Sequence, residues 1–148
     1  MNEFLSLFTR ASKLMREAAD QAMSQHGVRV GQNLILEVLW ENDGLTPGEL
    51  SERLRVATPT VVKSATRMEA NDLITRRRDP NDGRLVRLHL TDRARSIRTA
   101  IETERDALAR RATGPLTDTE RRALMRALTN IIDEFADRPP DKPHHERP

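Results

Sequence analysis

The sequence has no cysteine, and aromatic residues make up only 3% of it. Without thiols there is no disulfide, no cysteine-based zinc site and no thiol redox switch, and the redox compartment stays open. With so few rings, any core is aliphatic. No apolar run approaches the length of a membrane span, and the N-terminus lacks a basic region followed by a long apolar stretch. The expectation is a cytoplasmic protein with no membrane partner. Glycine-rich phosphate loops and nucleophile elbows are missing. The four histidines are His26, His89, His144 and His145; none has a second ligand at metal-binding spacing, so no metal and no cofactor are expected. Glu102 and Glu104 read as solvated. These absences argue against an enzyme.

What the chain does contain is organised around Leu45–Thr91. Thr46-Pro47-Gly48-Glu49 has the form of a capping box, in which the threonine hydroxyl accepts from the amide at N3 and the glutamate reaches back. Proline at N1 loses no hydrogen bond, and Leu45 and Leu50 stand at the positions of a hydrophobic staple. A short helix is therefore predicted to about Leu54, with Arg55-Val56-Ala57 as a turn. A second helix is predicted from Thr58-Pro59, a cap residue followed by proline. At about 100° per residue, Val61, Ser64, Ala65 and Met68 share one side of it. Thr60, Lys63 and Arg67 share the other, flanked by Val62 and Thr66. Hydroxyls and cations on an open helix face suit base edges in a major groove; the same face would also serve as the solvated side of a bundle.

Beyond Asn71-Asp72, which tolerate a left-handed helix end, the apolar period changes to 2. Leu73–Arg76 and Leu85–Leu90 read as strands, and Asp79-Pro80-Asn81-Asp82-Gly83 between them consists of turn residues. Val86, Leu88 and Leu90 share one strand face, Arg87 and His89 the other. Arg76, Arg77, Arg78 and Arg84 crowd the turn, where cations follow phosphates or enter a minor groove. Edge arginines also prevent aggregation, but that does not explain their concentration at the tip. Helix, turn, helix and hairpin in this order make a winged helix-turn-helix.

Asp82-Gly83-Arg84, followed at strand spacing by Leu88-His89-Leu90-Thr91, resembles the D-x-R…LT wing signature of the MarR family of bacterial transcription regulators. Pro59-Thr60-Val61 and Leu50-Ser51-Glu52-Arg53-Leu54 are similar to that family as well. The resemblance is strong from Thr46 to Arg95 and holds in outline over the rest. It implies a homodimeric winged-helix regulator, a repressor or an activator, that sits on a pseudo-palindromic duplex and releases DNA on binding a small molecule. It also implies that Arg84 enters the minor groove and that Asp82 helps position it. The chain departs from the pattern at Gly83, where a second arginine is common, at Asp72, where glycine usually ends the helix, and at Ser64, where a core leucine is usual. The DNA-facing set is expected to be Thr58, Thr60, Val62, Lys63, Thr66 and Arg67 on the helix, with Arg76, Arg77, Arg78, Asp82, Arg84 and Arg87 on the wing. The other reading is a winged-helix scaffold whose arginines meet an acidic protein partner.

Charge supports the first reading. Residues 53–98 carry twelve Arg or Lys against five carboxylates, a segment charge of +7 in a chain of net charge +2, so the remainder is −5. A basic middle between acidic ends suits a DNA-facing surface opposite a partner-facing one.

The flanks read as dimerisation helices. Residues 2–26 form a helix with an apolar stripe through Phe4, Phe8, Ala11, Met15, Ala18 and Ala22, widened by Leu5, Leu7 and Leu14. Gln32–Glu41 is apolar on more than one side and is expected to be the most buried helix. After the wing, Thr91 caps one long, charged helix to about Ala112, with Ile97, Ile101 and Leu108 as a narrow stripe. Thr117-Asp118-Thr119-Glu120 is a second capping box, opening a helix with Leu124, Leu128, Ile131 and Phe135 on one face. The fold expected is mainly α, about six helices and a two-strand hairpin. Residues 1–136 form a single winged-helix domain, with the DNA-binding lobe at about 30–92 and dimerisation helices at about 2–26 and 92–136. Residues 137–148 are expected to be disordered. If a small-molecule pocket is kept, the resemblance places it between the lobe and the dimerisation helices. Met15, Met23, His26, Gln32, Leu36 and Trp40 are its candidate lining, though they read first as plain core.

Overall fold

Seven helices and one antiparallel hairpin order the residues that the computed structural model describes, 2–136. The chain divides into one unit up to Ala112 and a second from Thr113 onward. The expected disordered tail, residues 137–148, lies outside the described residues.

Helix α1 spans Asn2–Ser24, and only Met23 on it is buried. The chain reverses directly afterwards: the amides of His26 and Val28 both donate to the Met23 carbonyl, at 2.9 and 3.2 Å. Gly27 supplies the left-handed backbone (φ +73°) that this reversal needs. Helix α2, Gln32–Glu41, buries Gln32, Ile35, Leu36 and Leu39, more than any other helix. Its Trp40 is half-buried and donates from Nε1 to the Ala94 carbonyl at 3.0 Å, with the Arg98 guanidinium over its ring.

Helix α3, Pro47–Leu54, opens with the expected capping box. The Glu49 amide donates to Thr46 Oγ1 at 3.1 Å, and the Thr46 amide donates to Glu49 Oε2 at 3.4 Å. Leu45 and Leu50 are both buried, as a staple requires. Helix α4, Thr58–Ala70, starts one residue earlier than its sequence suggests. Its N-cap is Ala57, in extended conformation without a side-chain cap bond, so Thr58 lies inside the first turn. The buried face is Val61, Ala65 and Met68, joined by a half-buried Ser64. Asp72 takes the left-handed conformation (φ +57°) that glycine would otherwise supply.

Strands β1, Ile74–Arg78, and β2, Val86–Leu90, pair antiparallel from Ile74↔Leu90 to Arg78↔Val86. A single β-bridge onto the hairpin was not visible in the sequence. Leu45 bridges Leu88, which donates its amide to the Leu45 carbonyl at 2.8 Å, and the Gly44 amide returns to Leu88 O at 3.1 Å. The inner edge of the hairpin is thereby paired rather than open. Leu88 and Leu90 are buried, Val86 exposed.

The single helix expected after the wing is two: α5, Asp92–Ser96, and α6, Arg98–Thr113. Thr91 caps α5, its hydroxyl accepting from the Ala94 amide at 3.1 Å. At Ile97 the backbone flattens (φ −88°, ψ −3°) while the Ser96 hydroxyl donates back to Arg93 O at 2.7 Å. Such local back-bonding competes with the helical ladder. Glu102 and Glu104 are half-buried; Glu102 pairs with Arg98 at 2.8 Å, and Glu104 lies 3.6 Å from His26 Nε2.

In the second unit, Thr117 and Glu120 make the second capping box reciprocally at 3.1 Å. The Thr117 amide and hydroxyl hold the Glu120 carboxyl below its ordinary range. Helix α7, Asp118–Ala136, has no buried residue; Leu124 and Phe135 are exposed, Phe135 by 69%. On α1 the stripe is open as well: Phe4, Leu5, Leu7, Phe8, Leu14 and Met15 are all exposed. Each unit thus presents an uncovered apolar face.

Candidate nucleic-acid interface

The turn between α3 and α4 is closed from inside. Arg55 adopts φ +54°, the Val56 amide donates to Ser51 O at 3.3 Å, and the Ser51 hydroxyl donates to Val56 O at 2.5 Å. Both helices lean on a common core through Leu50, Val61 and Met68, so the outer face of α4 is presented on a rigid support. On that face Thr58, Thr60, Val62, Lys63, Thr66 and Arg67 are all exposed. Lys63 and Arg67 make no ion pair among the described residues. Thr66 is partly engaged, donating to Val62 O at 3.0 Å and accepting from Arg76 Nη2 at 2.6 Å. Arg76 also faces Glu69 at 3.4 Å and so ties β1 to α4.

The wing tip is built on two aspartates. Asp79 Oδ1 accepts the amides of Asn81 (2.7 Å) and Asp82 (2.9 Å), while its other oxygen takes Arg87 Nε at 2.5 Å. Arg87, then the two amides, hold the Asp79 carboxyl below the usual carboxylate range. Asp82 Oδ1 accepts both the Arg84 amide and its Nε, each at 3.1 Å, and Nη2 reaches Oδ2 at 3.4 Å. That contact lowers the Asp82 pKa too. The Arg84 side chain is nevertheless 91% exposed, so a restrained guanidinium projects from the tip. Arg77 and Arg78 are exposed beside it.

Arg87 is the most engaged residue of this set. It is half-buried, bonded to Asp79, donating from Nη1 to Gly44 O at 2.9 Å and facing Glu49 at 3.7 Å. These partners hold it between the wing and α3. Its strand alternation was correct; its partners, up to 43 residues distant, were not in the pattern. The sequence pattern also gives no role to Asp43. It accepts the Leu90 amide at 2.9 Å and pairs with Arg95 at 3.0 Å, fixing the base of β2.

A cavity of about 770 Å³ opens beside α4. It is bordered by Lys13, Arg16, Glu17 and Asp20 of α1, by Arg29, by Ser64 and Arg67 of α4 and by its C-cap Asn71, among others. Arg29 pairs with Asp20 at 3.1 Å. Of the six lining candidates only Gln32 borders this cavity. Met23 and Leu36 are core, and Trp40 is bonded to Ala94. His26 faces Glu104, and Met15 lies exposed on α1. Apolar type marks burial, whereas this cavity is bordered mostly by polar side chains, so residue type alone does not point to it. Among the described residues no cluster of three His, Cys, Asp or Glu could hold a metal, and no helix is long and apolar enough to cross a membrane.

The family model described as MarR family matches residues 30–86. The HTH-type transcriptional regulator MgrA of Staphylococcus aureus is 29% identical over 130 residues, covering 88% of this chain and 87% of its own. Among solved structures, the S. aureus MepR–DNA complex superposes with a TM-score of 0.81 at 25% identity, covering 89% of this chain and 98% of that one. CouR of Rhodococcus jostii RHA1, solved with p-coumaroyl-CoA, gives 0.72 at 22% identity, covering 84% and 88%.

Proposed function

This chain belongs to the MarR family of DNA-binding transcriptional regulators, and we propose that it acts as a homodimeric repressor whose grip on a pseudo-palindromic duplex is loosened by a small molecule. Its relatives are regulators, not enzymes. The observation that carries the proposal is the pairing of an open cationic and hydroxyl face on α4 with a wing whose Arg84 is exposed yet held by Asp82. In this reading α4 enters the major groove, with Lys63 and Arg67 toward base edges or phosphates and Val62 toward a thymine methyl. Thr58, Thr60, Arg77 and Arg78 follow the backbone, and Arg84 enters the flanking minor groove.

The exposed apolar faces of α1 and α7 supply the dimer contact, since large apolar faces are not left in water without cost. The effector is an anion: the cavity beside α4 is bordered by four cations, Lys13, Arg16, Arg29 and Arg67, against two carboxylates. Arg67 belongs to both the helix face and the cavity, so an anion that draws it inward weakens the DNA contact. Such a regulator works in the cytoplasm.

Selection of bound duplexes from a random library, followed by titration against salt, tests this. A preferred inverted repeat whose affinity falls linearly on a log–log salt plot supports the reading. Binding to an acidic protein with no duplex preference would establish the scaffold reading instead.

A further inference from the structure

Arg93, near the start of α5, bonds two main-chain carbonyls from separate parts of its unit. Nη1 donates to Asn71 O at 2.5 Å and Nη2 to His26 O at 3.2 Å. Asn71 is the C-cap of α4, and His26 lies in the reversal that ends α1. Helix ends of this kind carry carbonyls without intrahelical partners and the negative end of the helix dipole. Helix α1 has no cation in its own last turn; Arg93 provides one from 67 residues away. No carboxylate pairs with Arg93 among the described residues, so its hydrogen bonds go to these carbonyls alone. Space for the guanidinium depends on Gly27, where a Cβ would overlap Nη2.

The same segment grips the rest of that helix end. Thr91 donates its hydroxyl to Asp72 O at 2.7 Å and its amide to Leu73 O at 3.1 Å. The carbonyls of Asn71, Asp72 and Leu73 are thus all held from Thr91 and Arg93, and Arg93 carries the grip across to α1.

We propose that Arg93 is a positioning residue for DNA reading: by joining the end of α1 to the end of α4 it sets the tilt at which the recognition helix meets the groove. This rests on the DNA-binding reading above. A guanidinium on two carbonyls is either engaged or released, and release frees the Asn71 carbonyl and the link from α4 to α1 without altering any group that faces DNA. Asn71 also borders the cavity beside α4, so an occupant there acts on the same joint.

The test compares wild type, Arg93→Gln, Arg93→Lys and Gly27→Ala on the duplex that wild type selects from a random library and on a shuffled duplex of equal length. Arg93→Gln is expected to lose about fivefold or more on the selected duplex, with little change in affinity or counterion release on the shuffled one. Lysine, a point charge that reaches one carbonyl at a time, recovers part of the loss. Gly27→Ala keeps the charge but evicts the guanidinium and strains a backbone at φ +73°, so its loss is at least as large, and the double variant loses less than the sum of the two. Equal loss on both duplexes with a lower melting temperature means a purely structural role and overturns the proposal; additive losses do the same. If wild type selects a duplex and the Arg93 variants read it unchanged, positioning fails while the DNA-binding reading stands. If wild type selects none, that reading fails and this inference falls with it.

Discussion

Replacing Arg84 by alanine isolates the wing contribution. The side chain is 91% exposed, and its contacts among the described residues are with Asp82. Truncation therefore opens no cavity and buries no unpaired group, and the melting temperature should stay within about 2 °C of wild type. Binding is different. The restrained guanidinium has already given up part of its rotamer freedom, so little is lost on entering a groove. One modest charged contact, about 1.4 kcal/mol, is worth about tenfold. A dimer inserting both wings should lose up to about a hundredfold, since the two sites are far apart and additive. Because a minor groove offers width and potential more than base order, the loss should be larger on A·T-rich flanks than on G·C-rich ones. Anisotropy titrations of both flank types, with wild type and Arg84→Ala, read this directly. If the mutant keeps wild-type affinity and the wild-type flank preference, the wing is not a minor-groove reader and the argument from its geometry fails.

Arg87→Gln should weaken binding through a loosened wing, leaving the log–log salt slope unchanged; a slope reduced by about one per protomer would make Arg87 a phosphate contact after all. Gly44→Ala forces a side chain onto φ +77° and brings its Cβ to 2.9 Å from the His89 ring, so urea unfolding should show a loss of about 1–3 kcal/mol. The carboxyls of Asp79 and Asp82 titrate below their ordinary values. Their contribution is complete above the unfolded pKa and disappears only as pH falls through the lower folded one. Wing amide resonances should therefore hold at about pH 5 and change only below about pH 4; loss of order near pH 6 would contradict this. Deleting residues 1–24 removes buried Met23 along with the α1 face, and sedimentation should show aggregate; a folded monomer that still binds DNA would refute the proposed dimer.

Reading from sequence succeeded where the interaction is local. Both capping boxes, the change of period after Asn71-Asp72, the Asp79–Gly83 turn and the buried face of α4 all came through. Each depends on residues a few positions apart and on which face of an element is apolar. Those local rules suffice for a winged helix-turn-helix, because the order of helices and strands is itself local information. The N-cap of α4 moved by one residue, a shift that cap chemistry alone does not exclude when Thr and Ala stand side by side.

Tertiary structure decided the fate of the charges and of the breaks. Alternation told the face on which Arg87 stands, but Gly44 and Glu49 determined that it braces the wing. Arg93 looked like one more cation among the 25 Arg and Lys of the chain, and only the fold brings His26, Gly27 and Asn71 around it. The bridge of Leu45 to Leu88, the anchoring of β2 by Asp43 and the polar cavity beside α4 have the same origin. A charged side chain on a long flexible stem has many possible partners within reach, and sequence spacing says nothing about those that arrive from elsewhere in the chain. Periodicity determines which side of an element is inside; the partner of a cation is determined only when distant backbone and carboxylate oxygens are brought to it.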